Sequence, residues 1–339
     1  MTKKNLSPSY LKQIIREKIP EGLVVPEHTE YEHFYRETRV NKLYHSTTTK
    51  MGDYGKKYLK NWSTKVGADF LRDNIENIIN GTKQTILDLI EVSQHKHNTV
   101  LRIAGEIGSY AHEYFDRYMI FRIENPGEEK RDINLDDFPL NYIERDHIGF
   151  KCCVNSFLKF MDDHFIIPIA SELLVADTKH EYAGTFDNLV LMAHVRKKGN
   201  GSCGHNSETS TSSKLHEYWL SGSEEDQKYQ CQRCGQKVQM HLTMLDWKTS
   251  NQGEKSEYAM QVASYVYAFI KMVGIKPTKQ YIVHFLKDKV HYNLLSLNSI
   301  SDAIIAYRHL SAVYDWEQKW KEKGHFTNIY KTKKRTKIC

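Results

Sequence analysis

The hydrophobic period of this chain changes part-way along it, and that change limits the folds open to it. Up to about residue 164 apolar positions recur at helical spacing. They do so in "DFLRDNIENIINGTKQTILDLIEVSQHKH", in "VLRIAGEIGSYAHEYFDRYMIFRI" over about 100–123, and in a helix over about 142–164 that ends before Pro168. Gly81 and Thr82 break the first segment into two helices. Beyond Pro168 the pattern is that of strands: "SELLVAD", "YAGTFDNLVLMAH" and "MHLTMLDWKTS" are short, β-prone and bounded by turn formers. The helical period returns in "SEYAMQVASYVYAFIKMVG", which stops at Gly274 with Pro277 close behind. Two strands, "KQYIVHFLKD" and "KVHYNLLSL", meet at Asp288, and a long helix from about 299 closes the chain with Ser301 or Asp302 as its N-cap. Strands among helices predict an α/β (α+β) chain, a central sheet flanked by helices.

The chain divides unevenly. Residues 1–99 read as a helical N-terminal region, 100–195 and 239–325 as the core, 196–238 as an insertion, and 326–339 as a basic, solvated tail ending "KTKKRTKIC". The insertion separates two strands that would otherwise form a hairpin. A structureless loop of that length is improbable inside a compact domain, so a module with its own stabiliser is expected. Cys203-Gly-His205 and Cys231-Gln-Arg-Cys234-Gly235 supply it. Two short pairs give four tetrahedral ligands for a structural zinc ion, and the metal provides folding energy that about forty residues cannot find in a core. His216 is a substitute for His205. The competing reading is a flexible loop with incidental cysteines and histidines.

Bulk properties exclude more than they select. No apolar run reaches the roughly eighteen residues that cross a bilayer, and the start lacks the apolar core of a secretory signal. Six cysteines spread over 339 residues do not make a disulfide scaffold, so a reducing, cytoplasmic setting is expected. Lysine and arginine exceed aspartate and glutamate by six, a mild basicity compatible with a nucleic-acid partner.

"MLDWKTS", residues 244–250, brings an acid and a lysine in beside apolar neighbours. In a strand, Leu242, Met244, Asp246 and Lys248 share one face, and Thr243, Leu245 and Trp247 the other. On the preceding strand Thr185, Asp187 and Leu189 share a face, with Gly184 permitting close approach. Paired antiparallel, the strands bring Asp187 and Asp246 together. Two such carboxylates repel unless a cation sits between them, and magnesium or manganese suits oxygen ligands. Lys248 then orients or deprotonates a water, or neutralises charge on a phosphate. The plain alternative is a half-buried strand with a local ion pair.

In order, "GSYAHEYFD", "GTFD", "DWK" and Gln261-x-x-x-Tyr265 resemble the motifs of the PD-(D/E)XK nucleases, in particular the RecB-like exonuclease branch, over about residues 100–320. The resemblance implies a restriction-endonuclease-like core with a central mixed sheet, and a DNA nuclease, most often an exonuclease, of recombination, replication or repair. It implies that His112 ligates magnesium or manganese through a neutral imidazole, with Asp187, Asp246 and the backbone carbonyl of Trp247. Lys248 becomes the catalytic lysine, Gln261 and Tyr265 support it or a DNA phosphate, and Glu172 stands where the family often has an acid. The implied partners are DNA, single-stranded or with free ends, and a recombination or replication protein. Departures are Phe186 where a proline is common before the first acid, and Asp rather than Glu at 246. Only Cys339 follows the core, so no iron–sulfur cluster is expected; no phosphate-binding G-x-x-x-x-G-K-[ST] loop is present. Two other readings remain open: a catalytically silent nuclease fold that binds nucleic acid or a partner through the zinc module, and a zinc-stabilised structural protein.

Overall fold

A computed structural model of the chain describes residues 7–28, 33–52, 54, 59–126, 148–194, 218–221, 228–231, 237–250 and 255–323. The described helices are α1 (Pro8–Lys18), α2 (Thr47–Met51), α3 (Leu59–Asp73), α4 (Ile75–Asn80), α5 (Lys83–Glu124), α6 (Ile148–Asp163), α7 (Ser256–Val273) and α8 (Ile300–Lys323). The strands are β1 (Val24–His28), β2 (His33–Glu37), β3 (Lys42–Ser46), β4 (Ile166–Asp177), β5 (Tyr182–His194), β6 (Tyr218–Ser221), β7 (Lys228–Cys231), β8 (Lys237–Lys248), β9 (Lys279–Phe285) and β10 (Tyr292–Ser296). None of these helices is long and apolar enough to cross a membrane.

The class is α/β, with a mixed sheet. β4 runs antiparallel to β5, β5 antiparallel to β8, β8 parallel to β9, and β9 antiparallel to β10. The parallel step is made by α7, because parallel neighbours need a crossover that no tight turn can supply. As expected, β5 and β8 form a hairpin once the insertion is set aside, in register from Asn188↔Leu245 to His194↔Gln239. Within the insertion β6 and β7 pair antiparallel and attach to the start of β8 through Tyr229↔Val238 and Gln230↔Lys237.

Both faces of the sheet are covered, and the alternation along β8 sorts its side chains between them. Leu242 and Met244 join Phe186, Leu189, Ile282, α7 and part of α1 and α8 in one core; Leu245 and Trp247 join α5, α6, Val283 and Phe285 in the other. The second core is aromatic. Phe115 stacks on Phe157 at 4.4 Å between centroids, and Trp247 meets Phe157 and Phe160 edge-on, each at 5.7 Å. Tyr114 and Tyr118, at i and i+4, are buried here, so they pack the helix rather than offer rings to solvent.

Three expectations are corrected. The N-terminal region is not wholly helical: β1, β2 and β3 form an antiparallel ribbon, and β3 adds to β5 through His45↔Tyr182 and Ser46↔Ala183. "VVPEH" and "HFYRE" are β-prone, and Pro26 would break a helix interior. Second, α5 is a single helix of 42 residues, about 63 Å at 1.5 Å per residue. Its start is set by Thr82, whose hydroxyl accepts from the Thr85 amide, while the His97-Asn98-Thr99 stretch holds no glycine or proline to interrupt it. Third, Ser299 caps α8, its hydroxyl accepting from the Asp302 amide at 3.2 Å. Phe157 is wholly buried among these rings, so Phe157→Ala is expected to lower unfolding free energy by about 3–5 kcal/mol in a denaturant titration.

Candidate active site

The ladder between β5 and β8 ends at Asn188↔Leu245, whereas β8 continues beside β9 to Lys248↔His284. Where the two strands part, a side chain takes over the hydrogen bonding: the Asp187 carboxylate accepts the Trp247 amide N–H. A strand amide left without a partner in a buried place is costly, and an acid at 187 answers that need while staying at the opening. Asp246 is 2 % exposed, and its carboxylate lies 2.6 Å from the Lys248 ammonium. From α5, His112 reaches over the opening, with Nδ1 at 3.9 Å from Asp187 Oδ1.

Two close approaches explain the glycines in these motifs. A Cβ on Gly184 would lie 2.5 Å from Cε1 of Tyr265, so the ring on α7 rests directly on the β5 backbone. A Cβ on Gly108 would come to 3.0 Å from the hydroxyl of Thr249, the residue after Lys248. Gly184 therefore sets the α7 layer against β5, and Gly108 sets α5, and with it His112, against the end of β8. Lys287, just beyond β9, donates to the Ala104 carbonyl at 2.7 Å and ties α5 down one turn earlier.

Charge in this opening is finely opposed. Burial, only partly offset by Lys248 and by the Trp247 amide, pushes Asp187 up to about 6. Burial also pushes Asp246 up to about 6, against the pull of Lys248 and with a push from Asp187. Glu172 is exposed by its overall surface, yet loss of water around its carboxyl, with the charges of Asp187, Asp116 and Asp246, raises it to about 8. Its backbone is left-handed, φ +47°, in the middle of a strand, an arrangement that a non-glycine residue holds only under constraint. For Lys248 burial works against the charge, but Asp246 and Asp187 outweigh it and hold the ammonium above the usual lysine range. Burial and the positive charge of Lys248 lower His112 to about 4, so its imidazole is neutral.

His112, Asp187, Asp246, Lys248 and Glu172 are thus gathered at one opening. A neutral imidazole with carboxylates that lack enough positive charge is a donor set that fits a hard divalent cation. Among the described residues no three His, Cys, Asp or Glu side chains already close into a metal cage. Gln261 donates to the Tyr265 hydroxyl at 3.0 Å, and Tyr265, buried, sits close enough to Asp246 and Asp187 to feel their charge. The aromatic ring against Lys248 belongs instead to Tyr258, 5.1 Å from Nζ to the centroid. Trp247 contributes its amide to Asp187 and its indole to the aromatic core. Cys203, His205 and Cys234 lie outside the described residues, as do the side chain of Cys231 at the end of β7 and His216.

Sequence reasoning missed three contributors. Asp116, one turn beyond His112, accepts from the Ser171 hydroxyl at 2.6 Å and is itself raised by burial. Tyr35 arrives from the ribbon; its hydroxyl lies 3.3 Å from that of Thr185, and the charge of Glu172 reaches it. Tyr258 could have been noticed, since it stands three residues before Gln261 on the same helix; Tyr35 carried no such signal. No protein-family model matches the chain, and no curated protein matches its sequence.

Two outcomes follow from this geometry. Gly184→Ala is expected to destabilise by about 1–3 kcal/mol through overpacking, and to cost less than that when introduced into a Tyr265→Ala background, a non-additivity read by denaturant unfolding. Asp187, Asp246 and Glu172 all have folded pKa values above those of the free carboxyls, so the fold binds protons more tightly than the unfolded chain. Their contribution is full below about pH 4 and is lost as pH rises through about 6 and then 8. His112, lowered, opposes this only below about pH 6.5. In EDTA, Tm should therefore be higher at pH 6.5 than at pH 8, and added magnesium or manganese should raise it more at pH 8.

Proposed function

We propose that this chain is a metal-dependent DNA nuclease, an exonuclease acting on strands with free ends in recombination, replication or repair, within a restriction-endonuclease-like core. The observation that carries the reading is the gathering of His112, Asp187, Asp246 and Lys248 at the point where β5 and β8 part. The elements that bring them there, α5, β5 and β8, carry the motifs of the resemblance. The mixed sheet, with α7 crossing between parallel β8 and β9, is compatible with such a core.

His112, Asp187 and Asp246, with the Trp247 carbonyl, would hold magnesium or manganese. The ion supplies charge that polarises a phosphate and makes water a better nucleophile near neutral pH. With it bound, both aspartates would be held ionised against the burial that raises them in its absence. Lys248, held above the ordinary lysine range, is a cation rather than a base. Its role is to neutralise the negative charge that grows on the phosphate as water oxygen bonds to phosphorus and the P–O bond to the leaving nucleotide breaks. Gln261 and Tyr265 act one layer out: the hydrogen bond between them fixes the ring against Gly184 and so the wall beside both aspartates. Zinc, held by Cys203, His205, Cys231 and Cys234, is proposed as a structural ion of the insertion, with no part in the chemistry.

The deciding experiment presents end-labelled single-stranded, linear duplex and closed circular DNA with magnesium, manganese or EDTA. Metal-dependent loss of linear DNA with circles spared is expected, and Asp246→Asn and Lys248→Ala should each slow it by about 100-fold to 1000-fold. Cleavage of circles would keep the chemistry and make the enzyme an endonuclease. No cleavage in any metal, with DNA binding retained, would make the chain a binding protein.

A further inference from the structure

Lys248 has a neighbour that no motif names. Tyr258, in the first turn of α7, presents its ring to the Lys248 ammonium, and its hydroxyl donates to the Ser250 Oγ at 2.8 Å. The Ser250 carbonyl in turn accepts from Nε2 of His284, a side chain only 2 % exposed on β9 and directly opposite Lys248 in the parallel ladder. His284 Nδ1 faces the Asn293 side-chain amide at 3.4 Å. A carbonyl can only accept, so His284 Nε2 is the donor of this bond. Ser250, two residues after Lys248, is therefore held twice: its main chain by His284 and its hydroxyl by Tyr258.

We propose that Tyr258 is a positioning residue for Lys248. An ammonium over an aromatic face is attracted by the ring quadrupole, most strongly where water is scarce. The Lys248 side chain is only 14 % exposed. Asp246 holds the ammonium at 2.6 Å, and the ring gives the flexible stem a second anchor. Through its hydroxyl the ring is itself tied to Ser250, which links the start of α7 to the end of β8. Lys255 also approaches this ring, its Nζ 5.4 Å from the centroid. The inference rests on the nuclease reading for the word positioning, but the placement of the lysine can be tested without activity.

The experiment labels the amines of the full-length protein with limiting acid anhydride and reads the rate at Lys248 by mass spectrometry, beside cleavage kinetics. Tyr258→Leu should raise labelling at Lys248 about 2-fold to 30-fold, the range of a cation–aromatic contact, while other buried lysines such as Lys50 stay unchanged. It should lower kcat by a similar factor with KM within about two-fold, because the contact acts on the lysine and not on DNA binding. Tyr258→Phe keeps the ring and should stay within about two-fold of wild type in both measurements. Unchanged labelling in Tyr258→Leu, with Lys50 still protected, overturns the proposal. So does Tyr258→Phe failing as badly as Tyr258→Leu, which would transfer the role to the hydroxyl and the turn. If wild type cleaves no DNA, the nuclease reading falls, and the labelling ratio alone still decides whether Tyr258 holds Lys248.

Discussion

One hydrogen bond organises this molecule: the Trp247 amide donating to the Asp187 carboxylate. Two antiparallel strands that separate leave main-chain groups without partners, and a buried orphan amide is a defect the fold must repair. Here the repair is made by a charged side chain, so the place where the sheet opens is also the place where an acid is fixed. Asp246 follows on the opposite strand because β8 must still pair with β9. Trp247 then points its indole into the aromatic core and Lys248 returns to the open side. The alternation of one strand thus delivers an acid, an anchor and a cation in three consecutive positions.

The opening is kept by contacts that exclude bulk. Tyr265 lies on Gly184, and α5 lies on Thr249 through Gly108. Larger residues at either glycine would push a helix layer off the sheet and carry His112 or the α7 wall with it. This packing also produces the electrostatics. Removing water raises Asp187, Asp246 and Glu172 and lowers His112, while a single buried lysine is too little charge to compensate three acids. The left-handed backbone at Glu172 belongs to the same compromise, since it holds an acid facing other acids.

What the sequence made legible follows from the range of the forces involved. Period alone placed β5 at Tyr182–His194, gave α7 its end before Gly274, and put Leu242 and Met244 on the opposite face from Leu245 and Trp247. These are local consequences of alternation and helical spacing. The short ribbon of β1–β3 was harder to read because its stability comes from adding to β5, a partner far away in the chain. Tyr35 and Asp116 were hidden for a related reason. One reaches the site across that ribbon, the other through a hydroxyl on β4, and neither contact leaves a pattern in its own neighbourhood. Lys248 is legible by its spacing from Asp246; the contact of Tyr258 with it is not, because a ring–cation pair between a strand end and a helix start has no fixed spacing, and only the place of Tyr258 one turn before Gln261 points to it.

The position of the insertion bears on its role. It enters between His194 and Lys237, at the end of the β5–β8 hairpin remote from Asp246, and β7 joins β8 at Lys237 and Val238. Asp246 stands nine positions along the strand from Lys237, about 30 Å at the rise of a β-strand. The β7–β8 pairing therefore lies at the opposite end of β8 from Lys248. That pairing holds the far end of β8 in register. A one-residue slip of β8 would move Asp246 and Lys248 to the aromatic core and put Trp247 into the opening. Register at the root of the insertion and chemistry at the other end are therefore the same constraint, transmitted along a single strand.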